Sequence, residues 1–464
     1  MQYKLYNLLF VLTAFSATAQ KYDTDFLTKE FHSDRRNALR TLMPDNSCAV
    51  FFSAPEQQRA NDVNFLYHQD PDFYYLSGLM EANSILIILK TSRTFYDTIN
   101  TNEILFVQDR NPHQEVWTGR FLGKEGAKKS LGFQFILTNK EFNDLKIDFP
   151  SFENVLIKKT PSVLPDESIK PEDLFNLIAQ FQLKTNYAKQ NVNNNKLNAY
   201  MATLREVKQP EELALLRKAI NITCDAHLEV MKALLPGIHE YNAAAIVEYV
   251  FKKEGSEYVA YPTIAGGGEN SCILHYETNR KKLENGNLFL IDAGAEYHGY
   301  AADVTRTMPV NGNFSKEEAI IYNIVLEAQE AGIKATTVGA AFRANHEAAV
   351  EIIKKELLAL GIIKKPEEYK TYFFHGTSHY LGLDVHDAGN YGKLKEGNVV
   401  TVEPGIYIPE GSNCDRKWWN IGVRIEDDIL VTAVGPEILS KKLPKTIVEI
   451  ENLMKQDSYF NKIE

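Results

Sequence analysis

Cysteine is scarce in this chain. Cys48, Cys224, Cys272 and Cys414 are the only four in 464 residues, and no two of them form a CxxC pair. That excludes a disulfide framework or a zinc–thiolate cluster as the organising principle, and small buried thiols are the expected reading. Cationic charge is also short, with 51 Lys and Arg against 61 Asp and Glu and a formal net charge of -10. Phosphate backbones need clustered cations, so no nucleic-acid partner is expected. The glycine run Gly266-Gly267-Gly268 lacks a following Lys-Ser/Thr and reads as a strand-end loop, not a phosphate loop. Solenoid-period repeats, heptad arrays and low-complexity tracts are all missing.

What is present is an ordinary globular composition, 44% hydrophobic and 24% charged. The length calls for more than one core and suggests two domains. Residues 1–19 stand apart: Lys4, the apolar stretch Leu5 to Phe15 and Ala17-Thr18-Ala19 read as a secretory signal peptide. Its apolar run is too short for a comfortable membrane span, so no stable membrane anchor is expected. The expected location is periplasmic or secreted.

From residue 20 to 197 the pattern is mixed α/β. A helix is expected over Phe26–Leu42, basic on its polar side, with strands at Cys48–Ala54, Phe73–Leu76, Ser84–Lys90 and Glu103–Gln108. The irregular stretch Leu145–Asn195, with Pro161, Pro165 and Pro171, reads as a connection. A second domain, 198–464, has helices expected at Glu212–Leu235, Tyr241–Glu254, Lys316–Ala331 and Phe342–Leu360.

Within it, Gly286 to Thr307 reads as a β-hairpin. A two-residue turn at 297/298 or 298/299 puts Asp303 opposite Asp292 or Gly294, and either way both carboxylates share one face. Two like charges so close are costly without a cation between them. Four further stretches carry suitable groups: His275 in ILHY, the histidines His375, His379 and His386 in HGTSHYLGLDVHDAG, Glu403 in VEPGIY and Glu426 in VRIEDD. Each is weak alone, because a lone His is more often structural and a lone Glu solvated. Together, two Asp, two Glu and a His are able to hold two divalent ions and leave room for water. His298, at the hairpin tip, and His346, within a helix, read as solvated. Trp418 and Trp419 read as either entrance or packing residues.

The order Asp292, Asp303, His379, Glu403, Glu426, in the contexts IDAG, ADVTRT, GTSHYLGLDVHD, EPGIY and RIEDD, resembles the pita-bread dinuclear metallopeptidases, and within them the aminopeptidase P group. DPDFYYLSGL, Asp70 to Leu79, is similar to that group's N-terminal signature. The resemblance implies an α/β chain whose C-terminal domain holds a curved, mainly antiparallel sheet flanked by helices. It implies two divalent cations, by family habit manganese: Asp292 chelates one, Asp303 and Glu426 bridge both, and His379 and Glu403 complete the shell of the second ion. Such ions lower the pKa of a shared water, whose hydroxide attacks the scissile carbonyl while Glu403 shuttles the proton. His275 and His386 would bind substrate and steady the oxyanion, so removing either should cost roughly 10- to 1000-fold in turnover. His375, Tyr407 and Arg424 match the slot for a proline ring, and Asp72 matches a residue that reaches a neighbouring subunit's site. The implied activity is removal of the N-terminal residue from peptides with proline second, by a homo-oligomer, dimer or tetramer. A prolidase restricted to dipeptides and a catalytically inactive peptide-binding relative are the alternatives.

Overall fold

Runs of β-branched and aromatic residues build the N-terminal sheet of the computed structural model, which describes residues 23–158, 160–161, 172–186 and 194–462. The expected signal peptide lies outside the described residues. Five strands lie in the order Ile136–Thr138, Ile99–Val107, Ile85–Phe95, Ser47–Phe52, Asn154–Ile157. The two inner pairings are antiparallel and the two outer ones parallel. Ser47–Phe52 and the first half of Ile85–Phe95 are buried on both faces. Unbroken apolar runs follow from that double burial.

Three expectations for this half need correction. Phe73–Leu76 is helical, inside the helix Pro71–Ser77: Asp70 Oδ1 accepts from Phe73 N at 2.8 Å, Pro71 sits in the first turn and Gly78 closes the helix at φ 71°. These caps outweigh the β preference of the aromatics. The opening helix begins at Lys29, capped by Thr28, and its basic side is not a solvated face. Arg36 and Arg40 are buried and both bond Glu103 of the neighbouring strand. The stretch 145–195 is no mere connection either, because Asn154–Ile157 is an edge strand and the helix Leu174–Thr185 packs Leu177, Ile178 and Phe181 on the sheet. Pro165 and Pro171 lie outside the described residues.

The second half contains the helices Pro210–Ala233, Glu240–Lys253, Lys316–Ala335 and Ala344–Ala359, each within a few residues of its expected position. Its strands pair antiparallel throughout: Leu288–Ala293 lies between Val304–Pro309 and Ile264–Gly267, Val399–Val402 pairs with Asp427–Thr432, and Gly405–Ile408 pairs with Ile421–Arg424. A single apolar cluster joins the halves, holding Phe31, Phe73 and Leu76 together with Leu215, Leu216 and Ile220. Trp418 belongs to that cluster and Trp419 packs against it, so both pack. The four cysteines are free, with Cys48 and Cys224 buried. Among the described residues no helix is long and apolar enough to cross a membrane.

Candidate active site

The hairpin turns at His298 and Gly299, whose φ values are 49° and 85°, between the paired Tyr297 and Tyr300. Positive φ at both central residues is the turn that matches strand twist. The register that follows sets Asp292 opposite Thr305 and therefore Asp303 opposite Gly294. Both aspartates share one face, diagonal to one another. A Cβ on Gly294 would lie 1.7 Å from Ala302 O, so only glycine allows the strands to close beside Asp303.

Four more segments complete a cavity of about 420 Å³, whose walls include Asp292, Asp303, His379, Glu403 and Glu426 with His275, His375, His386 and Arg424. One ligand atom each from Asp303, His379 and Glu426 lie within 4.8 Å of one another. His379 Nε2 stands 3.3 Å from Asp303 Oδ2 and 3.6 Å from Glu403 Oε1. Its Nδ1 lies 3.0 Å from the carbonyl of Tyr380, which only accepts, so Nδ1 carries a proton and Nε2 faces the carboxylates. Asp292 is tied in by Tyr261, whose hydroxyl lies 2.5 Å from both Asp292 Oδ1 and Asp303 Oδ1.

The cluster is short of positive charge. Burial and the neighbouring Asp303, Glu403 and Asp292 push the Glu426 carboxyl well above its usual range. Asp303 is raised by burial and by Asp292. Glu403 is raised to about 7, with burial the largest cause, then His379 opposing and Asp303 adding. Only Asp292 is lowered: burial opposes its charge, but Arg424 Nη2 donates to its Oδ2 at 2.6 Å. Four carboxylates, three of them buried and Glu403 half-buried, against one guanidinium and one imidazole make an arrangement that divalent cations would balance. Oxygen-rich donors with one imidazole suit hard or borderline ions, so the residues fit a metal centre.

A second chain of bonds leads away from it. Arg424 Nη1 donates to Tyr407 Oη at 2.9 Å, and Tyr407 lies 2.9 Å from His375 Nε2. His375 Nδ1 must donate to Gly376 O at 2.6 Å, so Nε2 is the acceptor and the tyrosine the donor. Burial first, then Arg424, lowers His375 to about 3, so it stays neutral. His275 and His386 line the cavity with exposed rings. The His386 ring lies 4.1 Å from that of His379, and burial and His379 lower its pKa to about 4.

Asp72 does not line this cavity. Its side chain is 3% exposed and held by Lys158 Nζ and Arg205 Nη1, each at 2.6 Å. Arg205 also bonds Asp387, next to His386, so Asp72 anchors the N-terminal half to the loop behind the site. His298 is not solvated: it is buried and paired with Glu257 at 2.6 Å and Asp25 at 3.0 Å. His346 is half-buried, 2.9 Å from Thr377 Oγ1. Sequence reasoning missed Tyr261, a tyrosine in an unpatterned loop, and Asp428, whose Oδ2 accepts from Asp303 N at 3.3 Å.

Convergent carboxylates and an imidazole beside unbonded histidine rings define a metallohydrolase site. The description of metallopeptidase family M24 matches residues 214–433, and that of the aminopeptidase P N-terminal domain matches residues 32–149. Xaa-Pro aminopeptidase of Escherichia coli is 36% identical over 447 residues, 92% of this chain and 98% of that protein. Its counterpart in Haemophilus influenzae is 34% identical over the same shares of each chain. The solved structure of aminopeptidase P from E. coli with the inhibitor Pro-Leu superposes with a TM-score of 0.80 at 34% identity, covering 92% of this chain and 98% of that one. The chain belongs to metallopeptidase family M24, with the N-terminal domain of the aminopeptidase P group.

Proposed function

We propose that the protein removes the N-terminal residue from peptides whose second residue is proline. The observation that carries this reading is the pairing of the carboxylate–imidazole cluster with His375 and Arg424 in one cavity, both bonded from behind by the buried Tyr407. Asp292, Asp303, His379, Glu403 and Glu426 would hold the ions, by family habit manganese, which would supply Lewis acidity and a water of lowered pKa. Glu403, at the cavity wall beside His379, takes a proton from the water that attacks the scissile carbonyl and returns it to the proline nitrogen as the C–N bond breaks. His275 and His386 each offer an N–H to the carbonyl oxygen as it gains charge. The neutral ring of His375, held by the buried Tyr407 behind it, forms a wall for the proline ring, which has no N–H to offer.

The N-terminal domain favours an aminopeptidase over a dipeptidase, and comparing Gly-Pro with a longer Xaa-Pro peptide tests the choice. Cleavage confined to the dipeptide makes the protein a prolidase; no cleavage of either, with metal bound, makes it a binding module. Elemental analysis checks manganese. The domain division at 197/198 and export by residues 1–19 belong to the same reading, and N-terminal sequencing of the protein from its native host tests export. Assembly into a dimer or tetramer draws support from Trp117, 88% exposed on the helix Pro112–Thr118, and light scattering tests it.

A further inference from the structure

Glu240 opens the helix Glu240–Lys253, is completely buried and does not line the cavity. Its carboxylate accepts four hydrogen bonds. Oε1 takes Gly267 N and Asn270 Nδ2, both at 2.9 Å. Oε2 takes Tyr276 Oη at 2.9 Å and Lys281 N at 2.8 Å. Its own backbone N–H donates to Lys281 O at 3.0 Å. All four donors belong to the single stretch 267–281, which leaves the strand Ile264–Gly267, turns through Gly268–Cys272 and returns. His275 lies within that stretch, beside Tyr276 and at the cavity wall.

A buried carboxylate is tolerated when its lone pairs are filled, and filling them here fixes both arms of one loop against one helix end. The His275 ring makes no hydrogen bond among the described residues, so its backbone sets its place. The only side chain adjoining it that bonds this carboxylate is Tyr276. We infer that Glu240 is a positioning residue for His275: it holds the loop so that the imidazole N–H meets the carbonyl oxygen as charge develops. This rests on the role given to His275 above. A preorganised donor is worth most when it need not move, and a misplacement of about 1 Å costs on the order of 100-fold.

The test is a double-mutant cycle on the metal-loaded enzyme with an Xaa-Pro peptide, with metal content measured in parallel. Glu240→Gln keeps the shape but sets an amide NH2 against two of the donors, one of them a backbone N–H that has no way to reverse. It should lower kcat by about 10-fold in the parent, leave metal content unchanged and cost less than about 2-fold in a His275→Ala background. Tyr276→Phe, which deletes one of the four bonds, should repeat the pattern at about 3-fold and carries the cycle if Glu240→Gln does not fold. Equal fold losses in both backgrounds would show that Glu240 supports the fold or the metals and would overturn the proposal, as would full activity of Glu240→Gln. His275→Ala working at the parent rate would remove His275 from the reaction and this proposal with it; the single variant reports that outcome separately.

Discussion

Glu426 and Asp427 are neighbours in the chain and each is 1% exposed, yet they belong to opposite electrostatic worlds. Glu426, in the two-residue break between the strands Ile421–Arg424 and Asp427–Thr432, faces the cavity, and Asp427, the first residue of the second strand, bonds partners away from it. Asp427 meets Arg306 at 2.7 Å and Lys445 at 3.0 Å, with Gln329 and Ser440 donating at 2.7 Å each. Burial opposes its charge, but those cations hold its carboxyl well below the usual range. Glu426 meets three other carboxylates and the hydroxyl of Thr305, and is pushed well above it. A buried acidic cluster with its counter-charges in the chain is structure. One without them waits for charge from outside, and that deficit makes the cavity side a metal centre.

The sharpest way to break this comparison is to remove one acid from each side. Asp303→Ala should lower turnover by roughly 1000-fold or more and empty the metal site, because one of the carboxylates that would hold the ions is lost. The metal-free protein should fold no less stably than the metal-free parent, since a repulsion is relieved. Peptide cleavage at the parent rate would end the reading of the site. Asp427→Ala should do the reverse: it strands Arg306 and Lys445 in the interior and should cost about 3–5 kcal/mol of stability, read from chemical denaturation. A stable Asp427→Ala protein would show that the deficit and the balance are not distinct.

Metal removal sharpens the same contrast at smaller scale. Chelation should lower the melting temperature of the parent, by an amount equivalent to about 2.7 kcal/mol if the ion had been present at about 100 times its Kd. It should leave the melting temperature of Asp303→Ala almost unmoved, and calorimetry with and without chelator checks both. On the substrate side, His386→Ala should lower kcat about 10- to 1000-fold with metal content unchanged, which elemental analysis and steady-state kinetics together decide.

The metal side of this contrast was legible in the sequence because its parts obey local rules. Asp292 and Asp303 follow from strand alternation and a two-residue turn, and the register that places Asp303 opposite Gly294 is one of the two that the spacing allows. The balanced side was not legible, because Arg306, Lys445 and Gln329 reach Asp427 from separate elements. Glu240 was hidden for another reason. An acid at a helix start already has a generic explanation in the helix dipole, and nothing local says that four donors from a distant loop will meet it. His298 was misread because a charge looks solvated until its partners are known, and Asp25 lies far along the chain. The helix Pro71–Ser77 was a different error: its caps were in plain view, and the aromatics outvoted them.

The third cluster, at the hairpin tip, falls between the extremes and should give the smallest effect. His298 joins Glu257 and Asp25, while Phe26 stacks on its ring at 3.6 Å, so the first described residues are strapped over the turn. Burial disfavours the imidazolium, but bonds to Glu257 and Asp25 outweigh it and raise His298 above its ordinary 6.5. Its contribution is therefore fully present below pH 6.5 and fades as pH rises through the raised value. Asp25 and Glu257 are lowered from 3.8 and 4.5, burial opposing and His298 prevailing, so their contributions are present above those values and are lost as pH falls through the lowered ones. The strap is strongest between about pH 4.5 and 6.5. Asp25 is half exposed, so solvent screening limits the pair to about 1 kcal/mol or less. Asp25→Asn should cost that much near pH 6 and less at pH 9, toward which the imidazolium is progressively lost while the bond from Tyr297 remains. Denaturation of both proteins at the two pH values decides it: a cost that does not change with pH would mean that His298 carries no charge in the strap, and the cluster would rank with neutral packing.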